Sequence, residues 1–150
     1  MDYKLIAVAT DFSPGALAAF DIALGLARQC GAKLLVAHVI PPLITPSPLL
    51  DDLTVNQMTI QLRQDLSDSA QRELNSAYLG KTQGVPAEAV VLEGDPSREL
   101  LNLVSQRGVD LLVVGATGLS GLAEVFFGSV AAKVVRRATC SVMVVRPPRG

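Results

Sequence analysis

The chain has 150 residues, 49% of them hydrophobic and 18% charged, with 13 Lys and Arg against 14 Asp and Glu. That balance describes one globular domain, residues 1–150, with a core large enough to hold without disulfides or structural metal; it excludes disordered and collagen-like architectures. A net charge of −1, four Phe, two Tyr and no Trp supply neither the basic field nor the stacking platform of a general nucleic-acid binder.

The first apolar stretch, Leu5–Ala9, is broken by Thr10 and Asp11, too short for a signal peptide, and nothing approaches the roughly 18 apolar residues of a membrane span. The expected compartment is the cytoplasm, with no membrane or nucleic-acid partner. Cys30 and Cys140 lack CxxC spacing or histidine company and read as reduced, apolar packing residues.

Tyr3–Ala9 is an aliphatic run suited to a strand buried on both faces. Ser13 can cap the following helix and Pro14 fits its first turn; Leu17, Phe20, Leu24 and Ala27 recur at helical spacing until Gly31 stops it. Lys33–Ile40 is a second strand, and Pro41, Pro42, Pro46 and Pro48 then preclude regular structure. A long helix is expected from Asp51 or Asp52 to about Leu79, with Val55, Met58, Leu62, Leu66, Ala70 and Leu74 as its inward stripe and Gly80 and Gly84 ending it. Residues 41–60 follow strand two and form a candidate lid.

Ala87–Leu92 is a third strand. Asp95 caps the next helix, with Pro96 at its first position and Gly108 closing it. Asp110–Val114 is strand four, followed by a glycine-rich loop from Gly115 to Gly128. Ser129 is expected to cap a helix through about Arg137, and Ser141–Arg146 is the last strand, stopped by Pro147 and Pro148. The β-α-β-α-β-α-β-α-β order argues a doubly wound, parallel α/β sheet, because parallel neighbours need helical crossovers.

In such sheets ligands bind outside the C-terminal strand ends, where the strand order reverses. The loops that leave those ends carry Thr10, Asp11 and Ser13, the proline segment, Gly94-Asp95, and the glycine loop. In the glycine loop, missing side chains let backbone N–H groups approach an oxyanion, and a helix beginning at Ser129 aims its dipole at the same place. The same glycines also suit a plain turn, and both readings stay open. Asp11 likewise serves either a ligand or a local turn hydrogen bond, while Asp95 reads as a helix cap alone. The P-loop, dinucleotide and G-x-S-x-G patterns are absent. His38, the only histidine, lies within strand two and reads as a structural residue.

Gly115-x2-Gly118-x9-Gly128-Ser129 resembles the G-x2-G-x9-G-(S/T) nucleotide motif of the universal stress protein family. VDLLVVGATG and GSVAAKVVRRATCSVMVVR are similar to that family's C-terminal signature, as are Ile6–Asp11, Ala37–Val39 and Gly94–Pro96 to its other motifs. The resemblance implies a five-stranded sheet in the order 3-2-1-4-5 that binds ATP or another adenine nucleotide between strands one and four. On this implication Asp11 contacts ribose or adenine, and Val39 offers backbone groups to the adenine edge. Gly115 and Gly118 pass close to ribose and phosphate, and Gly128, Ser129 and Val130 supply phosphate donors. Ala9, Thr10, Val114 and Thr117 complete the site, with Mg²⁺ neutralising a triphosphate at ligands that stay unknown.

The chain departs from nucleotide-binding relatives in having Thr117 before the second motif glycine and no Lys or Arg between Gly115 and Gly128, where Glu124 adds a negative charge. Phosphate charge then falls to backbone N–H groups, Thr117, Ser120, Ser129 and metal, which predicts Mg²⁺-dependent binding. The resemblance further implies a homodimer through Val142–Arg146, pairing an apolar edge strand; protection of that edge by Pro147 and Pro148 is the alternative. Three function classes stay open: a nucleotide-binding stress or signalling module acting through an unidentified protein partner or a dimer, a slow ATPase or self-phosphorylating protein, and a ligand-free scaffold. The first is preferred, since no residue reads as a dedicated catalytic base. Residues 128–150 hold Lys133, Arg136, Arg137, Arg146 and Arg149 with no acid, so the near-neutral total averages an acidic body and a basic end.

Overall fold

The computed structural model describes residues 2–43, 52–117 and 128–147. Five strands, β1 (Leu5–Ala9), β2 (Lys33–Ile40), β3 (Ala87–Glu93), β4 (Leu111–Gly115) and β5 (Ser141–Val145), form one sheet in the order β3-β2-β1-β4-β5. Every pairing is parallel: β1 meets β2 from Leu5 opposite Lys33 to Ala9 opposite Ala37, and meets β4 from Ile6 opposite Leu111 to Val8 opposite Val113. The doubly wound fold and its strand order stand as expected.

Strand alternation divides the core into two layers. Ile6, Val8, Leu34, Val36, Leu111 and Val113 face helix α1 (Pro14–Cys30), whose Ala19, Phe20 and Ala23 are fully buried against them. Ala7, Leu35, Ala37, Leu112 and Val114 face α3 (Pro96–Arg107) and α4 (Ser129–Arg137). The apolar strand runs therefore reflect burial on both faces.

Local capping chemistry sets the helix ends. The Ser13 hydroxyl accepts the Ala16 N–H at 3.1 Å, and Gly31 closes α1 at φ +66°. Asp95 accepts the Arg98 N–H at 3.1 Å and the Ser97 hydroxyl at 2.8 Å, and Gly108 closes α3 at φ +66°. No disulfide joins Cys30 and Cys140.

Three expectations are corrected. Strand β4 begins at Leu111, because Asp110 uses its carboxylate to accept the N–H groups of Lys4 and Leu5 at 2.8 and 2.9 Å; β1 accordingly starts at Leu5 rather than Tyr3. Ser129 does not cap α4: Gly128 occupies that position and no side chain caps it, which makes Ser129 the first helical residue.

The third correction concerns α2 (Asp52–Glu73), which continues through a π turn, Leu74–Tyr78, and a 3₁₀ turn, Leu79–Lys81. The expected stripe is buried only at Ala70 and Leu74, whereas Met58, Leu62 and Leu66 are 57%, 43% and 37% exposed; Tyr78, beyond the stripe, is buried too. The reason is length. A 22-residue helix spans about 33 Å, and β2 and β3, with 8 and 7 residues, span only about 23–27 Å. Arg63 already lies beside Ile40 and Gly94 at the strands' C-terminal ends, so the first turns of α2 run beyond the sheet. Residues 44–51 lie outside the described residues, and with them most of the proline segment of the candidate lid.

Candidate functional site

The strand order reverses between β1 and β4, and a cleft of about 370 Å³ opens at their C-terminal ends. Strand β1 contributes Ala9 and the loop after it Thr10 and Asp11; β2 contributes Val39. Val114 and Gly115 come from β4, Thr117 from the loop beyond, and Gly128, Ser129 and Val130 from the start of α4. The cleft thus gathers the residues singled out from the sequence, apart from Gly118, which lies outside the described residues together with Ser120 and Glu124.

Sequence reasoning missed part of the wall. Pro41, Pro96 and Leu100 add apolar surface, and His38 lines the cleft as well. Proline at the first turn of α3 signalled a helix start, but only the packing of α3 beside β2 brings Pro96 and Leu100 to the cleft.

Asp11 makes the local turn and also borders the cleft: its Oδ1 accepts the Ser13 N–H at 3.0 Å. His38 is tied down as expected of a structural histidine. Nδ1 lies 2.7 Å from the Thr10 carbonyl oxygen, which can only accept, so Nδ1 carries the proton and donates. The imidazole packs on Phe12, centroids 4.4 Å apart. Phe12 sits at φ +64°, a left-handed conformation that costs energy for an aromatic residue and is held by its N–H donating to Thr10 Oγ1 at 3.0 Å. Behind this loop lies Tyr78, which bonds Thr10 Oγ1 at 2.6 Å; burial pushes its phenol pKa upward, against the lowering effect of that hydrogen bond.

Glycines shape the opposite wall for reasons the sequence did not reveal. A Cβ on Gly115 would lie 3.2 Å from the carbonyl oxygen of Gly15 and 3.4 Å from that of Thr117, so Gly115 is small because the first turn of α1 packs against it. Gly128 has extended backbone angles (φ −60°, ψ 163°) open to any residue. Its N–H donates to the Ala116 carbonyl at 2.7 Å, which removes it from the expected set of ligand donors. The backbone groups left without an intrahelical partner at the helix start are the N–H groups of Ser129, Val130 and Ala131, and Ser129 lines the cleft beside them.

The electrostatics are spare. Asp11 and His38 are the ionisable side chains along the described wall, with no Lys or Arg among them. Asp95, just outside, is held below the usual carboxylate range first by the Arg98 N–H and then by the Ser97 hydroxyl, with Lys133 a smaller influence. Among the described residues no three His, Cys, Asp or Glu could jointly hold a metal ion, and no helix is long and apolar enough to cross a membrane.

An apolar slot, a carboxylate at one edge and N–H groups without intrahelical partners at a helix start can seat a flat ring, hydrogen-bond a diol and bind an anion. Known proteins resemble this chain over nearly its whole length. The model of the universal stress protein family matches residues 2–146. Universal stress protein YxiE of Bacillus subtilis is 35% identical over 147 residues, covering 96% of this chain and 99% of its own. A universal stress protein crystallised in complex with cAMP is 27% identical, with a TM-score of 0.62 and coverage of 97% of this chain and 98% of that one. A family member from Arabidopsis thaliana with AMP bound is 26% identical, with a TM-score of 0.65 and coverage of 97% and 92%. From its fold, its cleft and these relatives, the chain belongs to the universal stress protein family.

Proposed function

We propose that this chain is an adenine-nucleotide-binding module that acts by changing state with its ligand in stress or signalling. The observation that carries the reading is the convergence of β1, β2, β4 and the start of α4 on one cleft at the point where strand order reverses. Related structures with cAMP and AMP bound support adenine as the base.

In this reading adenine lies between Val39, Pro41, Leu100 and Val130, where apolar walls replace ring stacking, and the Val39 backbone meets its polar edge. The Asp11 carboxylate retains acceptor capacity beyond its bond to Ser13 and takes the ribose hydroxyls. Ala9, Thr10, Val114, Gly115 and Thr117 border the ribose side, with Gly118 following them in sequence. The first N–H groups of α4 and the Ser129 hydroxyl receive phosphate, favoured by the helix dipole.

No Lys or Arg lines the described wall and residues 118–127 contain none, so each added phosphate brings charge without a matching cation. ATP is then bound with Mg²⁺ carried on its own phosphates, the usual habit of an ion that keeps several waters. Binding is favoured over turnover because His38 Nδ1 and Asp11 Oδ1 are both engaged in holding the loop. Strand β5 ends the sheet with Val142–Val145 only half-buried, and pairing of Val142–Arg146 with a second copy would cover that edge.

Mass analysis of small molecules released by denaturing gently purified protein, with calorimetry against AMP, cAMP and ATP, tests this reading. Adenine nucleotide in the supernatant is expected, with ATP binding that weakens when a chelator removes Mg²⁺. Failure of every adenine nucleotide to bind at millimolar concentration refutes it. Light scattering at micromolar protein reads the dimer directly, and a monomer removes it.

A further inference from the structure

The β1–α1 loop that carries Asp11 is fastened from the side away from the cleft. Thr10 and Tyr78, 5% and 3% exposed, share a hydrogen bond of 2.6 Å between hydroxyls 68 residues apart in sequence. Thr10 Oγ1 also accepts the Phe12 N–H, and that bond accompanies the left-handed backbone at Phe12. The next link is the Ser13 N–H, which donates to Asp11 Oδ1. Tyr78 itself stands at the end of the π turn after α2, braced by an edge-on contact with Phe20 at 4.9 Å. Single π turns inside helices recur at functional sites, because they set a side chain where regular winding would not. Tyr78 does not line the cleft, so any influence it has on a ligand passes through the loop it touches, by its hydrogen bond to Thr10 and a ring contact with Phe12 at 6.1 Å that a phenylalanine would keep.

We propose that Tyr78 is a positioning residue for the nucleotide site: through its hydrogen bond to Thr10 it holds the β1–α1 loop in the turn that presents Asp11 to ribose. This rests on the adenine-nucleotide reading above. A buried hydroxyl pair defines the position of Thr10 Oγ1 and thereby the acceptor for Phe12; without the phenol, Thr10 can turn to other rotamers and the left-handed turn loses its restraint. The His38 bond to the Thr10 carbonyl persists, so the strand end stays in place and the change is confined to residues 11–13.

Tyr78→Phe keeps the ring and its contact with Phe20 and removes only the hydroxyl. Calorimetry with AMP is run on the unaltered protein, Tyr78→Phe, Asp11→Ala and the double variant, all below their unfolding temperatures. Loss of one orienting hydrogen bond is expected to weaken AMP binding about five- to tenfold when Asp11 is present and to have no further effect once Asp11→Ala has been made. In the ligand-free protein the Phe12 and Ser13 amides are expected to exchange hydrogen faster in Tyr78→Phe. Thr10→Val removes that bond and the acceptor for the Phe12 N–H as well, so both effects should be at least as large as in Tyr78→Phe. An equal loss with and without the Asp11→Ala substitution, which a merely structural effect gives, overturns the proposal, as does unchanged AMP affinity. If the unaltered protein binds no adenine nucleotide, the nucleotide reading falls and this role with it; binding that ignores the substitution overturns the role of Tyr78 alone.

Discussion

Gly115→Ala separates packing from ligand binding at the most informative motif glycine. The new Cβ meets the Gly15 carbonyl oxygen at 3.2 Å, the Gly15 carbonyl carbon at 3.3 Å and the Thr117 carbonyl oxygen at 3.4 Å. The Thr117 oxygen is at the edge of ordinary contact, but the two Gly15 atoms are closer than that, so the Gly15 carbonyl group must give by a few tenths of an ångström. None is the tip of a flexible side chain. Overpacking of this kind costs about 1–3 kcal/mol, offset by about 0.4–1 kcal/mol because alanine restricts the unfolded chain. Mid-range values leave a net loss of about 1.3 kcal/mol, a fall in Tm of roughly 3–5 °C for a chain of this size. Gly15→Ala also presses on the Thr117 carbonyl oxygen, at 3.2 Å, so the two substitutions should be non-additive in urea or thermal denaturation. A Tm for Gly115→Ala equal to or above that of the unaltered protein refutes the reasoning, since it would show that the Gly15 turn yields freely and that glycine is at 115 for another reason.

Two other predictions follow from burial and charge. Leu74→Ala, at the fully buried first residue of the π turn, should cost about 2–4 kcal/mol, while Met58→Ala and Leu62→Ala, exposed on α2, should stay within about 0.5 kcal/mol; equal costs in chemical denaturation would contradict the placement of α2. The Arg107 and Lys33 hydrogen bonds hold Glu88 down to about 2 from its ordinary 4.5. A carboxyl lowered in the folded state contributes stability above the unfolded value and loses it as pH falls through the folded one, here between about 4.5 and 2. Glu88→Gln should therefore flatten the acid limb of Tm against pH. The carboxylate is 39% exposed, so the difference should be modest and shrink at high salt. Parallel curves for the two proteins would discount the pairing.

The prediction at Gly115 also shows where sequence reasoning stops. Glycine there reads equally as ligand approach or turn, and no neighbour in sequence discriminates. The deciding contact comes from Gly15, far away in sequence, on a helix whose caps were plain but whose neighbour was not. Tyr78 is the same case: an aromatic near the end of a long helix carries no local sign that its hydroxyl will meet Thr10. Ser129 could be placed at a helix start from Gly128-Ser129, yet which of the two caps depends on the Gly128 N–H reaching the Ala116 carbonyl across the loop.

The sequence by itself determined what acts over a few residues or repeats with a period. Ser13, Pro14, Gly31, Asp95, Pro96 and Gly108 mark helix ends because each satisfies or interrupts backbone hydrogen bonds within one turn. The aliphatic runs announce parallel strands because only burial on both faces favours unbroken apolar sequence. Only the tertiary structure decided how far α2 rests on the sheet, because that compares the length of one element with strands elsewhere in the chain. It alone also brought Pro96, Leu100 and His38 to the cleft and fastened the Asp11 loop to Tyr78. Such contacts join residues whose separation in sequence says nothing of their distance in space.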